Sequence, residues 1–194
     1  MTTAPSTDER LIRARSRKLL LLFAMVGMGM MFAGLTSAFV VSKNRADWLK
    51  NVEMPSAFYW STAVMLLSSV TFWLALRHTK NQNASAGRLW LLVTLGLGCT
   101  FVGLQYVGFD QLVQQGFYFT GPQSNIATTF MYTLVAVHLA HLLSGLVVLL
   151  VVIYNHFKQK YSTGQTTGIE LGAMYWHFLD FLWLYLFLFL YFFR

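Results

Sequence analysis

The sequence predicts an all-α polytopic membrane protein, a bundle of five transmembrane helices. Of its 194 residues, 56% are hydrophobic and only 11% are charged, a balance typical of a membrane protein and unlike a soluble domain. Five apolar runs reach the roughly 20 residues that a helix needs to cross a hydrocarbon core of about 30 Å. The basic residues cluster between these runs. The chain length suits a single domain.

The five runs follow one another with short polar connections. A basic segment, residues 1–18, precedes the first run, which is longer than the apolar part of a signal peptide and is therefore expected to be a retained helix. The fourth run is the longest and is expected to tilt or to project from the bilayer. All three prolines lie outside the runs. The predicted spans are residues 19–42, 56–76, 89–109, 126–154 and 171–193.

The distribution of Lys and Arg predicts how the chain is oriented. If the spans alternate in direction, ten of the fourteen basic residues fall on the side of the N-terminus. Cytoplasmic loops of membrane proteins carry this excess. The N-terminus is thus predicted to be cytoplasmic and the C-terminus outside. The net charge of +7 is accounted for in the same way, and no nucleic acid partner is predicted.

The fifth run contains Asp180 among leucine and aromatic residues. A carboxylate at the centre of a membrane helix costs roughly 2.5–3.5 kcal/mol on insertion scales. Asp180 is therefore expected to face protein and to be paired, hydrogen-bonded or protonated. Trp176 and His177 precede it by about one helical turn and share its side of the helix. Glu170 lies two turns before His177 on the same side.

The fourth run adds His138 and His141, three residues apart on one helix face. Three interpretations of these polar residues remain open. They could ligate a metal or haem, they could relay protons as intramembrane His and Asp residues do in pumps, or they could be structural and simply pair with each other and with neighbouring helices. A His-x-x-His pair alone is a weak metal signal, and the paired Glu-x-x-His motifs of di-iron bundles are absent from the sequence.

Glycine spacing offers a first indication of where helices approach one another. Gly27 and Gly34 share a face of the first span, as do Gly96 and Gly103 in the third. Small residues at such spacing allow close contact between helix backbones. The alternative is that these are ordinary glycines, which membrane helices tolerate well.

Three blocks of the sequence resemble subunit III of the haem–copper oxidases. The last and longest runs from Gly168 to Trp183, with Tyr-Trp-His-Phe-Leu-Asp at its centre. The segment His-Leu-Ala-His-Leu-Leu-Ser-Gly that ends at Gly145 is similar to the preceding helix of that family, and Gly-Leu-Thr-Ser-Ala-Phe ending at Phe39 to an earlier one. Gln105 falls where the family often has a Leu-Gln pair. The resemblance extends from about Leu19 to the C-terminus.

This resemblance implies a short five-helix bacterial form, placed as a multi-pass protein in the cytoplasmic (inner) membrane. In the family, subunit III binds neither haem nor copper, which belong to partner subunits. It contacts the catalytic subunit I, holds phospholipid and supports proton uptake while the enzyme reduces O2 to water with electrons from cytochrome c. Subunit II is a further implied partner. One position departs from the family: Met28 stands where many members carry a glutamate.

We therefore expect a non-catalytic subunit whose polar residues form one buried network joining the fourth and fifth helices. No catalytic residue and no metal ligand is predicted on this chain. The network residues are His138, His141, Glu170, Trp176, His177 and Asp180. Arg88, Lys158 and Lys160 are weaker candidates for contacts with anionic lipid headgroups on the cytoplasmic side, the alternative being solvated charges.

Two other functions compete with this interpretation. One is the corresponding subunit of a quinol oxidase or of a nitric-oxide-reductase-type complex, which the motifs do not separate from a cytochrome c oxidase. The other, from a different class, is an independent small transporter. Transporter helices are often interrupted by proline, and the position of the prolines outside the runs counts against it.

Overall fold

The computed structural model describes residues 7–44, 54–121, 124–159, 161 and 166–193. Within these residues the regular structure consists of five α-helices without a β-strand, namely α1 (Thr7–Ser42), α2 (Ser56–Lys80), α3 (Ala84–Gln114), α4 (Ile126–Phe157) and α5 (Thr167–Phe193). All five are long and apolar enough to cross a membrane. The prediction of an all-α protein with five membrane-spanning helices is confirmed.

The helices extend beyond the spans predicted from hydropathy. Helix α1 begins at Thr7, within the basic segment, and α3 extends at both ends to Ala84 and Gln114. Apolarity reports where a helix lies in hydrocarbon, whereas a helix ends where its terminal groups are satisfied. The Asn83 side chain accepts a hydrogen bond from the backbone N–H of Ala86 at 3.3 Å, and Asn125 begins α4 with a capping box.

Four helices form a closed bundle and the fifth packs on its outside. Helices α2, α3, α4 and α5 contact one another in cyclic order, while α1 contacts α4 and α5. Across the described residues, α1 has no helix–helix contact with α2 or α3. Only 11% of the apolar stretch of α1 is buried, chiefly through Phe32, Thr36 and Phe39. Most of its surface is thus left for lipid or for another protein.

Aromatic rings fill the centre of the bundle. Trp183 lies edge-on to Phe101 with the ring centroids 5.1 Å apart, and Trp176 is buried beside Gly98. A Cβ at Gly98 would lie 2.9 Å from the Trp176 ring, so this glycine provides the space for the indole. By contrast, a Cβ at Gly96 would meet nothing within 4 Å.

The glycines at helix contacts are therefore not the ones that the spacing suggested. Nothing lies within 4 Å of a Cβ built at Gly27, Gly34, Gly96 or Gly103. This observation fits the alternative interpretation, in which these four are ordinary glycines of membrane helices. The close approaches occur at five other glycines, where a Cβ would come within 3.0 Å of a side chain of another helix: Gly87, Gly98, Gly108, Gly145 and Gly172.

Candidate functional site

The polar residues of α5 meet hydroxyl groups of α2. The indole N–H of Trp176 donates to Ser68 Oγ at 3.2 Å, and that of Trp183 donates to Thr62 Oγ1 at 3.0 Å. His177 Nδ1 lies 2.7 Å from Ser69 Oγ. These three serine and threonine side chains are called here the α2 hydroxyl row. The structure thus uses two of the predicted network residues, and Trp183, to join α5 to α2 rather than to α4.

Two members of the α2 hydroxyl row, Thr62 and Ser68, are themselves held by the backbone of α2. The Thr62 hydroxyl donates to the Phe58 carbonyl at 2.8 Å, and the Ser68 hydroxyl to the Met65 carbonyl at 2.8 Å. Such bonds satisfy a hydroxyl within its own helix and leave its oxygen free to accept from a neighbour. Hydroxyls on membrane helices often bond across the interface in this manner. Sequence reasoning missed the row because Ser and Thr are common in membrane helices.

Asp180 is placed next to His177, as predicted, but without a close hydrogen bond. Its Oδ2 lies 3.9 Å from His177 Nδ1, and its side chain is only 5% exposed. Among the described residues, neither carboxylate oxygen of Asp180 has a hydrogen-bond partner. The two residues form a buried to half-buried polar pair on the seam between α2 and α5.

The structure separates Glu170 from that pair. At the start of α5, its carboxylate lies 2.9 Å from Lys18 Nζ of α1 and 3.0 Å from Lys80 Nζ of α2. The Thr166 hydroxyl donates to Glu170 Oε1, the oxygen that also faces Lys80, at 3.1 Å. Seven helical residues separate Glu170 from His177, or roughly 10 Å along the axis. Glu170 therefore joins three helices at one end of the bundle.

His138 and His141 are also apart from the carboxylates. His138 is fully buried between aromatic rings, with the Trp183 centroid at 5.2 Å and that of Phe101 at 6.1 Å. In the described structure neither of its ring nitrogens finds a hydrogen-bond partner. His141 Nδ1 lies 2.7 Å from the Val137 carbonyl of its own helix. These histidines do not form one network with Glu170, His177 and Asp180.

The polar link between α4 and α5 is instead made by two residues outside the prediction. Ser144 Oγ and the Tyr175 hydroxyl are 2.6 Å apart. Ser144 also donates to the His141 carbonyl at 2.6 Å. Tyr175 belongs to the Tyr-Trp-His block, so the sequence pointed to this region of α5. The sequence did not indicate that Ser144 of α4 is the hydrogen-bond partner of Tyr175.

A contact made by a further histidine, His156, was not predicted from the sequence because this residue lies at the polar end of α4. His156 Nε2 is 3.1 Å from the Thr79 hydroxyl, and His156 is buried. The two residues line a cavity of about 220 Å³ that Tyr161 also borders. Burial raises the pKa of the Tyr161 phenol, and a hydrogen bond with Asn155 partly opposes the change.

The basic candidates for lipid contact lie on aromatic rings. The Arg88 guanidinium is 5.4 Å from the centre of the Phe157 ring, and Lys158 Nζ is 4.6 Å from that of Tyr154. Both cations are positioned by these rings near the end of α4. Lys160 lies outside the described residues.

The described residues contain no cluster of three or more His, Cys, Asp or Glu side chains that could hold a metal ion. The geometry of that part of the chain thus offers no donor set for the metal interpretation. What the site does contain is a series of hydrogen bonds and ion pairs between helices, through which α5 is joined to α1, α2 and α4.

Comparison with known proteins identifies the family of the chain. The family model described as cytochrome c oxidase subunit III matches residues 20–194. Cytochrome c oxidase subunit 3 of Bacillus sp. (strain PS3) is 31% identical over 165 residues, 83% of this chain and 78% of the relative. That of Bacillus subtilis is 29% identical over 189 residues, 95% of this chain and 90% of the relative.

A relative with a different name matches as well. The cytochrome bo(3) ubiquinol oxidase subunit 3 of Pseudomonas aeruginosa is 31% identical over 126 residues, 65% of this chain and 59% of the relative. The resemblance found in the sequence is confirmed. The chain is a multi-pass membrane protein and belongs to the cytochrome c oxidase subunit III family, as a subunit III of a haem–copper oxidase that associates with other oxidase subunits.

Proposed function

We propose that this chain is the non-catalytic subunit III of a respiratory cytochrome c oxidase in the bacterial cytoplasmic membrane. It stabilises subunit I, in a complex that includes subunit II, holds phospholipid, and supports proton uptake while O2 is reduced to water. The observation that carries the proposal is the use of its membrane-embedded polar side chains. Trp176 and Trp183 bond to α2, Tyr175 bonds to α4, and Glu170 pairs with lysines of α1 and α2. Polar side chains that are used to join helices support a structural rather than a catalytic role for this chain.

A groove between α1, α4 and α5 supports the phospholipid part of the proposal. It has a volume of about 320 Å³ and a mainly apolar lining that includes Leu21, Val147 and Val151. Lys18 lies one turn before Leu21, where two ammonium groups surround the single carboxylate of Glu170. The excess positive charge suits a lipid phosphate, and the apolar groove below suits an acyl chain. Haem and copper are assigned to partner subunits.

Proton uptake is proposed on the resemblance to the family. Met28 removes the acid that many members carry in the first helix. The carboxylates left on α5, Glu170 and Asp180, are the groups of this chain that could take part, and Asp180 lies at membrane depth where an ionisable residue is a functional candidate.

The experiment that tests the proposal is the substitution Asp180→Leu in the assembled oxidase. Within the described residues both Asp180 oxygens lack a hydrogen-bond partner, and buried polar groups are as a rule bonded. Their partners are therefore expected elsewhere in the assembled oxidase, and loss of these bonds with the carboxylate should cost about 1–3 kcal/mol. We expect the chain to dissociate from the complex during mild detergent treatment and the enzyme to lose activity faster during turnover. Thr100→Val is the control, because Thr100 is exposed on α3 and bonds its own helix at Gly96.

Two results would contradict the proposal. One is an Asp180→Leu oxidase with unchanged subunit content and lifetime. The other is stoichiometric iron, copper or zinc in the isolated chain by elemental analysis, which would assign it a cofactor of its own.

A quinol oxidase is the second candidate, favoured by the relative named as a ubiquinol oxidase subunit. The electron donor is decided by the partner subunits rather than by this chain. We expect the purified complex to contain a copper centre in subunit II and to oxidise reduced cytochrome c. A complex that lacks this copper and oxidises quinol would establish the second candidate instead.

A further inference from the structure

Helix α5 presents His177, with the buried Asp180 behind it, to the outside of the bundle in the middle of the predicted span. His177 lies ten residues into α5, or roughly 15 Å from its start, and its side chain is 36% exposed. Helices α1 and α2 flank α5 without contacting each other in the described residues. His177 is therefore reachable from outside the chain at a depth where hydrocarbon surrounds an isolated bundle.

The hydrogen bonds of this pair are incomplete. His177 Nδ1 is bound to Ser69 Oγ at 2.7 Å, which leaves Nε2 either as an N–H donor or as a bare acceptor. The described residues supply no partner for Nε2, and this atom is not enclosed by the chain. Behind it, both oxygens of Asp180 are buried and unbonded within the same residues. The unsatisfied group points to a ligand or partner that can form hydrogen bonds.

Lipid chains cannot supply that partner. An unsatisfied polar group in hydrocarbon costs several kcal/mol, so a half-exposed histidine would be disfavoured on a face made only for lipid. On α5, the large side chains one turn to either side of His177 are exposed, Phe181 (69%) and Met174 (38%). On α2, Val70 (54%) and Trp73 (50%) are exposed next to and one turn beyond Ser69, which bonds to His177. Aromatic residues and methionine around a polar centre are typical of the core of a protein interface.

We propose that this surface docks a transmembrane helix of the large haem-bearing subunit. The surface is called the His177 face and consists of Val70, Trp73, Met174, His177 and Phe181. The docked helix presents a hydrogen-bonding side chain to His177 Nε2, and the surrounding apolar residues exclude lipid from this contact. The proposal rests on the function proposed above, which supplies the partner, and adds the face and the residue by which the partner is held.

Photo-crosslinking in the assembled oxidase tests the face. Phe181 is replaced by the photoreactive analogue p-benzoylphenylalanine, which preserves an aromatic side chain at that position. Tyr106 receives the same analogue as the matched control, because it is aromatic, 64% exposed and located on α3, which lies diagonally opposite α5 in the cyclic order of the bundle. We expect Phe181, and not Tyr106, to give a crosslinked product with the haem-bearing subunit.

Equal crosslinking from the two positions, crosslinking from Tyr106 alone, or lipid adducts alone at Phe181 would overturn the proposal. Co-purification distinguishes this failure from failure of the proposed function. If a tagged chain co-purifies with the haem-bearing subunit but crosslinks to it from another face, the proposed function stands and the His177 face is wrong. If no haem-bearing subunit co-purifies with the tagged chain, the proposed function itself is wrong.

Substitution of His177 tests the polar contact separately. His177→Leu removes both ring nitrogens, whereas His177→Gln retains a group that can donate and accept. We expect the Leu variant to dissociate from the complex several-fold faster in detergent and the Gln variant to restore most of the retention. Equal retention of the Leu variant and the wild-type chain would contradict the polar contact, and so would a Gln variant no better than Leu.

Discussion

At the scale of residues, the buried polar groups that find partners do so across helix contacts rather than in one cluster, while His138 and Asp180 have none among the described residues. Trp183 shows the principle: its ring packs against Phe101 while its N–H reaches the Thr62 hydroxyl. An indole combines a large apolar area with one donor. A hydroxyl already held by its own helix is the acceptor that such a donor needs.

The pair Trp183 and Thr62 allows a direct measurement of this hydrogen bond. In a double-mutant cycle, Trp183→Phe removes the donor and Thr62→Val removes the acceptor with little change in shape. We expect a coupling free energy of about 0.6–1.7 kcal/mol, the range found for hydrogen bonds between membrane helices. Unfolding in mixed micelles provides the measurement. Additive effects of the two substitutions would show that the contact contributes no specific stability.

The ion pairs of Glu170 should contribute less and should depend on salt. Its side chain is 24% exposed, and the partner lysines are 44% and 48% exposed, so solvent screens both pairs. We expect Glu170→Gln to lower the free energy of unfolding by no more than about 1 kcal/mol. The difference should shrink in about 1 M salt, where the screening length falls to about 3 Å.

Asp110→Asn is the control for Glu170→Gln, since Asp110 is exposed and bonds to Gln114 within its own helix. Its substitution should change stability little at either salt concentration. A Glu170→Gln effect that is insensitive to salt would show that the carboxylate acts through packing rather than through charge.

At the scale of elements, the rotation of each helix about its own axis decides which small residues are at contacts. Helix α3 carries Gly96 and Gly98 two residues apart, and so on different faces. Gly98 faces Trp176 of α5, while Gly96 faces open space. The spacing of glycines identifies a stripe along the helix but not the side to which the stripe is turned.

Alanine substitutions at Gly98 and Gly96 test this difference within one helix. A Cβ at position 98 would overlap the Trp176 ring, and overpacking of this kind costs about 1–3 kcal/mol. At position 96 the helix propensity of alanine should be neutral or stabilise by up to about 1 kcal/mol. Thermal unfolding followed by circular dichroism compares the two. Equal effects would mean that α3 is rotated differently.

At the scale of the whole molecule, α1 packs on the outside of a closed four-helix bundle. The first and last helices, α1 and α5, lie next to each other. An odd number of membrane-spanning helices predicts that the start of α1 and the end of α5 lie on opposite sides of the membrane. The positive-inside rule predicts which side each occupies, and this orientation stays a prediction.

Fusions to the C-terminus test the orientation. We expect alkaline phosphatase to be active there, because it folds only outside the cytoplasm, and a green fluorescent protein fusion to be dark. The reverse pair of signals would place the C-terminus in the cytoplasm and would require the basic residues of the connections to be exported.

The sequence by itself determined the five helices, the class of protein and the family, because apolar length and a contiguous block such as Tyr-Trp-His-Phe-Leu-Asp are local properties. It also identified Asp180 and His177 as neighbours, since one helical turn separates them. Helix ends were less accurate, because the helices continue past the hydrocarbon that hydropathy detects.

Only the tertiary structure decided with whom each polar residue pairs. The sequence predicted one network between the fourth and fifth helices, whereas Glu170 pairs with Lys18 and Lys80, and His177 with Ser69. Partners from different helices are chosen by helix rotation and by the order of packing in the bundle. These are collective results of filling the core around Trp176 and Trp183, and no single helix sequence contains them.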